Sequence, residues 1–352
     1  MKSPILCLLL CGSVLAVESY PDGRPACKVR LDAKDQGIVL RYGDGPDKCD
    51  YLGARDVWVY ENQGKYYMHY DGAGHKGWLA CLAESPDLVH WTKKGPVLDK
   101  GEAGKGDSAT ASYGTTYFDG KEWHMFYVGC PNCTQPPDCV PAGPYLTMKA
   151  KGASATGPWT KQYDVVPIAL KPGSYYAETA SPGFVVRHGG EYLQFVSVAA
   201  GGKRSIGIAR ATNLDGSWKM DPEPMVPLAE QLENTSMYYE PTNQTWFLFT
   251  NHVGINYPGG PEFTDAIWVY WTKDLNRWDA TNKALVLDRE NCKWSDPIIG
   301  LPSVLPVGHK LAVFYDGSEL KGDTCHMRRC IGLAWLELPL NPPLPKNENS
   351  RK

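Results

Sequence analysis

The sequence has no excess of charge of either sign and no long apolar run after its first residues. Its 36 Lys and Arg nearly balance 39 Asp and Glu, which gives a net charge of −3 at pH 7. Basic residues cluster only in pairs such as Arg328-Arg329, whereas proteins that bind nucleic acid or anionic membranes carry larger basic patches. No later stretch approaches the roughly 20 apolar residues that span a bilayer. The sequence therefore predicts no nucleic-acid or membrane partner, and a neutral, sugar-like ligand fits better.

Several catalytic signatures are also missing. The chain contains no HExxH, no GxSxG, no Walker loop and no zinc-ligand spacing, which excludes the hydrolase and nucleotide-binding classes that those motifs define. Its Gly-rich segments, Gly72-Ala-Gly74 and Ala200-Gly-Gly202, lack the strand-loop-helix context of a phosphate-binding loop. No cofactor is predicted from these patterns.

The N-terminus does carry a recognisable pattern. Met1-Lys2 precedes an apolar run from Ile5 to Leu10 and small residues up to Ala16, as in a secretory signal peptide. Residues 1–19 are therefore predicted to be removed, and the protein is predicted to be secreted and extracellular. Residues 346–352 form a polar C-terminal tail.

Secretion favours disulfides over metal thiolates. Of the 11 cysteines, two lie in the leader, and the nine that remain leave at least one thiol unpaired within the chain. Cys81, inside an apolar strand, is the candidate for that thiol. Cys130-Pro-Asn-Cys133 resembles a redox motif but is better interpreted as a loop staple, and Cys325 could pair with Cys330.

Three Asn residues fit the N-glycosylation pattern and predict a glycoprotein with these positions on surface loops. They are Asn132, Asn234 and Asn243.

The segment from Gly53 to Trp91 is typical of four short strands. Its runs Asp56–Tyr60 and Lys65–Tyr70 are β-branched and aromatic, and the turn Asn62-Gln-Gly64 joins them into a hairpin. The segment has the size and rhythm of one propeller blade.

The closing tryptophan of this segment recurs along the chain at Trp159, Trp218 and Trp278. The hairpin recurs as well, which makes five units. Five small sheets pack face against face only when they are arranged radially. We therefore predict an all-β fold, a single five-bladed β-propeller over residues 20–345. The predicted blades are 50–100, 107–165, 173–228, 232–290 and 296–340.

In such a ring the first strands converge on one end of an axial channel, so polar residues that open each unit become neighbours. The opening carboxylates are Asp56, Asp107, Glu178, Glu233 and Asp296. Asp56 follows Arg55, whose guanidinium can hold a carboxylate ionised, as a general base requires. The alternative is a structural turn or ion pair.

Glu178 follows Tyr175-Tyr176, an aromatic setting that favours a protonated carboxyl and a general-acid role. A solvated loop glutamate is the alternative. Asp107 and Asp296 could orient a sugar or tune a neighbour, although both lie in ordinary turn sequences.

Substrate contacts are predicted for histidines and aromatic residues that face the channel. His75 and His252 follow the second strands of the first and fourth units, where each could face the channel mouth or be an ordinary surface residue. The aromatic candidates for stacking on sugar faces are Trp58, Tyr175 and Tyr176, and Arg55 is a further ligand candidate.

Taken together, Ala54–Tyr60, Gly64–Tyr70 and Ser85–Trp91 resemble the first blade of the five-bladed propeller glycoside hydrolases of the family 43, 32 and 117 type. The architectural resemblance covers nearly the whole mature chain. It implies an aspartate base or nucleophile at the head of the first inner strand, a second aspartate that orients or tunes, and a glutamate or, in some families, a histidine as acid.

Asp56 matches the first of these roles, although the usual Asp-Pro is Asp56-Val57 here. Glu178 matches the acid loosely, because Pro182 follows it by four residues rather than two. Asp107 is the candidate for the second aspartate, which orients or tunes, and His252 is the fallback acid.

The sequence thus predicts a secreted glycoside hydrolase that cleaves a poly- or oligosaccharide with a carboxylate pair at the axial channel. A secreted propeller that binds glycans or matrix proteins without cleaving them is the main alternative, and a purely structural extracellular role is a third. Whether a structural calcium ion occupies the channel is left open.

Overall fold

The computed structural model describes residues 24–27, 29–254, 264–296, 298–322 and 325–343. The predicted signal peptide (1–19) and polar tail (346–352) lie outside the described residues. Within these ranges the chain is all-β, as predicted, and its helical structure is limited to the 3₁₀ turns Pro46–Lys48 and Leu228–Glu230. None of the helical segments found there has the length and apolar character needed to cross a membrane.

The strands pair into antiparallel groups of four, which we number in chain order. Group 1 contains β2 (Gly53–Asn62), β3 (Lys65–Gly74), β4 (Gly77–Ser85) and β5 (Thr92–Pro96). Group 2 contains β6 (Thr110–Phe118), β7 (Trp123–Cys130), β10 (Leu146–Gly152) and β11 (Trp159–Lys161), with a small ribbon, β8 (Asn132–Cys133) and β9 (Pro141–Ala142), inserted after β7. Group 3 contains β12 (Thr179–His188), β13 (Glu191–Ala200), β14 (Lys203–Ala211) and β15 (Lys219–Met220). Group 4 contains β16 (Leu232–Glu240), β17 (Thr245–His252), β18 (Ala266–Thr272) and β19 (Lys283–Asp288).

Group 5 is completed by a strand from the other end of the chain. It contains β20 (Ile299–Val307), β21 (Lys310–Ser318) and β22 (Arg329–Glu337), and β1 (Lys34–Leu40) pairs antiparallel with β22. The sequence repeat does not predict this N-terminal strand, because residues 34–40 lie outside the repeat pattern.

The recurring tryptophans occupy equivalent places. Each packs on a ring in the second strand of the preceding group, at centroid distances of 5.5 to 6.1 Å. The pairs are Trp91 on Phe314, Trp159 on His69, Trp218 on Phe126 and Trp278 on Phe195. The sequence repeat is therefore a repeat of contacts between neighbouring groups.

The fourth strand of group 1 lies just beyond the segment Gly53–Trp91, in which the sequence predicts four strands. Asp87 accepts hydrogen bonds from the backbone N–H groups of Val89 (2.9 Å) and His90 (2.8 Å), which closes a turn. The strand begins at Thr92, after Trp91 has turned toward the neighbouring group.

The first strands of the groups contact one another in sequence: β2 with β6, β6 with β12, β12 with β16, β16 with β20, and β20 with β2. Hydroxyls join them, because Ser303 accepts from the Val59 backbone N–H at 2.8 Å and Ser236 accepts from that of Val304 at 2.9 Å. Within group 3, Gly183 permits the close approach of β12 to β13, since a Cβ at Gly183 would lie 1.7 Å from the carbonyl oxygen of Phe195. Apolar clusters fill the space between neighbouring groups.

The contribution of β1 can be measured with Leu40→Ala. Leu40 is 3% exposed and packs with Phe314 and Leu333, so its truncation should lower the free energy of unfolding by about 2 to 5 kcal/mol. Urea unfolding followed by tryptophan fluorescence measures the loss. Lys34→Ala, at an exposed position of the same strand, should change stability by less than about 0.5 kcal/mol, and equal effects of the two substitutions would contradict the docking of β1.

Candidate active site

The first strand of every group is interrupted near its start. The breaks in pairing lie between Arg55 and Val57, Ala111 and Gly114, Ser181 and Phe184, Glu233 and Ser236, and Gly300 and Ser303. Three residues in these breaks, Asp56, Asn234 and Leu301, have left-handed φ angles of 49°, 60° and 58°. Such angles cost about 1 to 3 kcal/mol each at non-Gly residues and often occur at functional sites.

These interruptions face one partly open cavity. Every first strand contributes to its lining: Arg55 and Asp56 in group 1, Ser112 and Tyr113 in group 2, Ser181 in group 3, Glu233 and Asn234 in group 4, and Leu301 in group 5. The other lining residues come from other strands, from the inserted ribbon and from loops, namely Asp71, Trp78, Val128, Val140, Pro141, Tyr145, Arg204 and His326. The first strands of groups 1 and 3, whose heads we expected to meet, do face the same space.

Asp56 is held by the arginine that precedes it. The Arg55 Nε atom lies 3.3 Å from Asp56 Oδ2, and both side chains are 13% exposed. Arg55 also donates to Nδ1 of His326 at 2.7 Å, and its guanidinium lies 5.4 Å from the ring centre of Trp78. This fixed cation holds the Asp56 side chain in place at the cavity.

A network of buried charges supports Arg55 from behind. Its Nε lies 3.9 Å from Asp316, which is fully buried and accepts a 3.2 Å hydrogen bond from Arg329. Burial raises the pKa of Asp316, against the opposing effect of the two guanidinium groups. Breaking such a pair leaves an uncompensated buried charge, so the network keeps Arg55 in place.

Glu233 is a second carboxylate at the cavity, on the first strand of group 4. It forms an ion pair with Arg204 of β14, and the two side chains are 19% and 20% exposed. The adjacent Asn234 accepts a 2.9 Å hydrogen bond from the Tyr113 hydroxyl. Groups 1 and 4 thus each contribute a carboxylate paired with an arginine.

Asp71 is a third carboxyl group at the cavity and is only 2% exposed. It lies on β3 opposite Arg55, and it accepts a hydrogen bond from the backbone N–H of Tyr113. Burial, the charge of Asp56 and a hydrogen bond with Asp56 raise its pKa well above the usual range. The raised pKa favours the protonated form of Asp71.

Asp107 does not reach this cavity. It is fully buried, forms an ion pair with Lys161, and accepts hydrogen bonds from the hydroxyls of Tyr127 (2.8 Å) and Tyr163 (3.2 Å). The structure gives it the role of a structural ion-pair partner. Ser112, five residues later, lines the cavity instead.

Glu178 and Asp296 are exposed and are not among the cavity-lining residues. Glu178 accepts hydrogen bonds from the backbone N–H groups of Gly201 (2.8 Å) and Gly202 (3.3 Å). Asp296 accepts one from Gly322 at 3.4 Å. The aromatic setting expected around Glu178 does not form, because its side chain turns to a glycine loop.

The predicted aromatic ligands lie in the core or on other surfaces. Trp58 is 8% exposed and donates to the Thr116 hydroxyl at 3.0 Å. Tyr175 donates to the backbone carbonyl of Asp221 at 2.8 Å, and Tyr176 packs with it in the core between groups 2 and 3. None of these three lines the cavity. The aromatic residues that do line it are Trp78, Tyr113 and Tyr145, and the sequence pattern did not predict them.

The two histidines are also placed away from the cavity. His75 is exposed and stacks on Tyr51 at 5.2 Å. His252 is fully buried, stacks on Trp268 at 4.2 Å and lies 3.2 Å from the Tyr270 hydroxyl. Burial, with Arg24 and Lys283 nearby, lowers the pKa of His252 well below its usual range, which favours the neutral imidazole.

The glycosylation motifs differ in accessibility. Asn132 is exposed, and Asn243 is half-buried and donates to the backbone carbonyl of Leu340 at 2.7 Å. Asn234 is 8% exposed and its side chain lies in the cavity wall. Asn234 is therefore corrected from a surface glycan site to a cavity residue.

The structure shows no disulfide among the described cysteines. Cys81 is fully buried in β4, as expected for a thiol in an apolar strand. Among the described residues, no three His, Cys, Asp or Glu side chains are grouped so that they could hold a metal ion.

Asp71 could have been found by counting strand pairs from the turn. Asn62 pairs with Lys65 and Val57 with Tyr70, so the next pair back along the hairpin brings Asp71 beside Arg55-Asp56. For Arg204 and His326 the sequence holds no comparable signal, because both reach the cavity from strands or loops of other groups.

No protein-family model matches the sequence, and no curated protein matches it. Solved structures do match the fold. Zg3597, a family 117 glycoside hydrolase of the marine bacterium Zobellia galactanivorans, aligns with a TM-score of 0.64 and 13% identity over 89% of this chain and 93% of its own. The α-L-arabinofuranosidase PaAbf62A from Podospora anserina, solved with cellotriose, aligns with a TM-score of 0.62 and 12% identity over 89% of this chain and 99% of its own.

A thermostable family-43 glycoside hydrolase also aligns, with a TM-score of 0.57 and 14% identity over 84% of this chain and 96% of its own. These neighbours belong to glycoside hydrolase families 43, 62 and 117, all of which are five-bladed β-propeller families. The predicted resemblance is confirmed, and at these identities it establishes the fold.

A structural role for Asp107 can be tested with Asp107→Asn. Removing the charge leaves Lys161 without its buried counterion, so the free energy of unfolding should fall by about 3 kcal/mol. Chemical denaturation measures it. Glu102→Gln, at an exposed position nearby, should be neutral within about 0.5 kcal/mol. A fully stable Asp107→Asn would contradict the assigned role.

Proposed function

We propose that the chain is a secreted glycoside hydrolase that cleaves a glycosidic bond in an oligo- or polysaccharide. In this proposal the five groups are the blades of a closed ring and the cavity is the mouth of its axial channel. The order of contacts between first strands supports the ring, and the apolar N-terminal leader supports secretion. Glycosylation at the exposed Asn132 belongs to the same proposal.

The observation that carries the proposal is the pair Asp56 and Glu233 in one polar cavity. Glycosidic hydrolysis uses two carboxyl groups, one that activates water or attacks the anomeric carbon and one that protonates the leaving oxygen. Asp56, fixed by Arg55, takes the first role. It accepts the proton of the attacking water while the new C–O bond forms, or it forms the covalent intermediate itself.

Glu233 takes the second role in place of Glu178, because Glu233 lines the cavity and Glu178 does not. Arg204 holds the Glu233 carboxylate in the free protein. A sugar hydroxyl or ring oxygen that engages Arg204 would release Glu233 to carry the proton that it gives to the leaving oxygen as the glycosidic bond breaks. Tyr145, which is half-buried at the cavity, is placed to contact a sugar face.

The proposal predicts that the purified protein releases sugar from one of a panel of arabinans, xylans, fructans and algal galactans. Asp56→Asn should lower kcat by at least about 100-fold, since an amide can neither accept the proton nor attack. Reducing-sugar assays measure the rate and circular dichroism confirms folding. Full activity in folded Asp56→Asn would remove Asp56 from the mechanism. Product anomers seen by NMR distinguish inversion from retention.

Glu233→Gln should separate substrates by their leaving groups. A glycoside with a nitrophenolate leaving group needs little protonation, so its hydrolysis should persist, while cleavage of the polysaccharide should fall by about 100-fold or more. Parallel assays of both substrates provide the measurement, with Glu102→Gln as the matched control. Equal loss on both substrates would argue against an acid role for Glu233.

A carbohydrate-binding role without cleavage is the second candidate. It is favoured by one observation: at the matching interruptions of groups 2 and 3 the cavity carries Ser112 and Ser181 rather than carboxylates. Calorimetric binding of a glycan from the same panel without release of sugar would support it over the hydrolase.

A further inference from the structure

The backbone of group 1 brings Asp56 and Asp71 together. Asp71 lies on β3 opposite Arg55, and Asp56 occupies the interruption next to that pair with a φ of 49°. Both carboxyl groups line the cavity and lie within hydrogen-bond reach of each other. Two carboxylates this close cannot both be ionised without strong repulsion.

Within the described part of the chain, burial and the neighbouring Asp56 outweigh the groups that would stabilise a negative charge on Asp71. Asp71 faces Asp56 and Arg55 on β2, Cys81 on β4, Tyr113 on β6 and Cys130 on β7. The guanidinium of Arg55 lies 3.3 Å from Asp56 and also contacts Asp316 and His326. The backbone N–H of Tyr113 donates to Asp71, and the charge of Arg55 partly opposes the rise in the pKa of Asp71.

We propose that Asp71 is a positioning residue that keeps a proton at working pH and donates it in a hydrogen bond to Asp56. The proton remains on Asp71 through the reaction, and its function is to hold the ionised Asp56 carboxylate in one orientation toward the cavity. This inference deepens the proposed function and rests on it for the catalytic consequence. The location of the proton does not depend on activity.

Infrared spectroscopy tests the location of the proton directly. The wild-type protein at pH 7 should show the carbonyl stretch of a protonated, buried carboxylic acid, and Asp71→Asn should lose that intensity. Asp288→Asn is the matched control, because Asp288 is ion-paired with Arg30 at 2.8 Å and contributes no protonated carboxyl. An unchanged band in Asp71→Asn would overturn the proposal.

The pH dependence of stability gives a second measurement. A carboxyl whose pKa is raised in the folded state binds more protons when folded than when unfolded. Its contribution to stability is therefore lost as pH rises from the usual aspartate range toward the raised pKa. The wild type should lose stability relative to Asp71→Asn over that interval. Parallel curves for the two proteins would contradict a protonated Asp71.

Two substitutions of Asp71 should differ in their effect on kcat. The amide of Asp71→Asn can still donate to Asp56, so kcat should stay within about tenfold of wild type, while Asp71→Ala removes the donor and should lower kcat by about 10- to 100-fold with little change in KM. Equal losses in both variants would point to a purely structural role. An inactive wild-type protein would overturn the proposed function, and the infrared and stability results would still decide where the proton lies.

Discussion

The structure depends on satisfying backbone groups where the strand ladders break. At the start of each first strand the regular pairing is interrupted, and a buried backbone N–H without a partner costs about as much as a lost hydrogen bond. Side chains of the preceding group supply partners inside three of the breaks, because the backbone N–H groups of Tyr113, Asn234 and Leu301 donate to Asp71, Ser197 and Asn251. The same breaks that need these partners turn Asp56, Asn234 and Leu301 toward the cavity. The breaks in the first strands therefore have two effects: they require contacts between neighbouring groups, and they place side chains at the cavity.

Most of the architecture could be predicted from the sequence because the repeat is carried by large apolar side chains. A tryptophan at the end of each unit needs a ring to pack on, and each finds one in the preceding group. Alternating strands and tight turns gave the hairpins. What the repeat could not reveal was β1, because a strand that completes a group through pairing with β22 needs no copy elsewhere in the chain.

The site was predictable only in part. Asp56 was identified because it directly precedes an apolar strand and follows an arginine, and the structure places both residues at the cavity. Asp107, Glu178 and Asp296 were chosen because they lie near the starts of their units, but side-chain direction depends on the register of each break rather than on proximity in sequence. A shift of a few residues places Ser112, Ser181 and Leu301 at the cavity instead. Arg204 and His326 reach the cavity from other strands and loops, and no local sequence pattern predicts that placement.

The pairing of β1 with β22 joins residues that are synthesised at opposite ends of translation. Lys34 pairs with Trp335. Group 5 can therefore be completed only after β22, the last strand of the chain, has been synthesised. Contacts so distant in sequence form slowly, and unpaired strand edges promote aggregation while they wait. A chain that stops short of residue 329 would lack β22 and leave β1 without its pairing partner. Groups 1 to 4 would still be complete, but group 5 would not be, so truncation at the C-terminus also exposes a strand near the N-terminus.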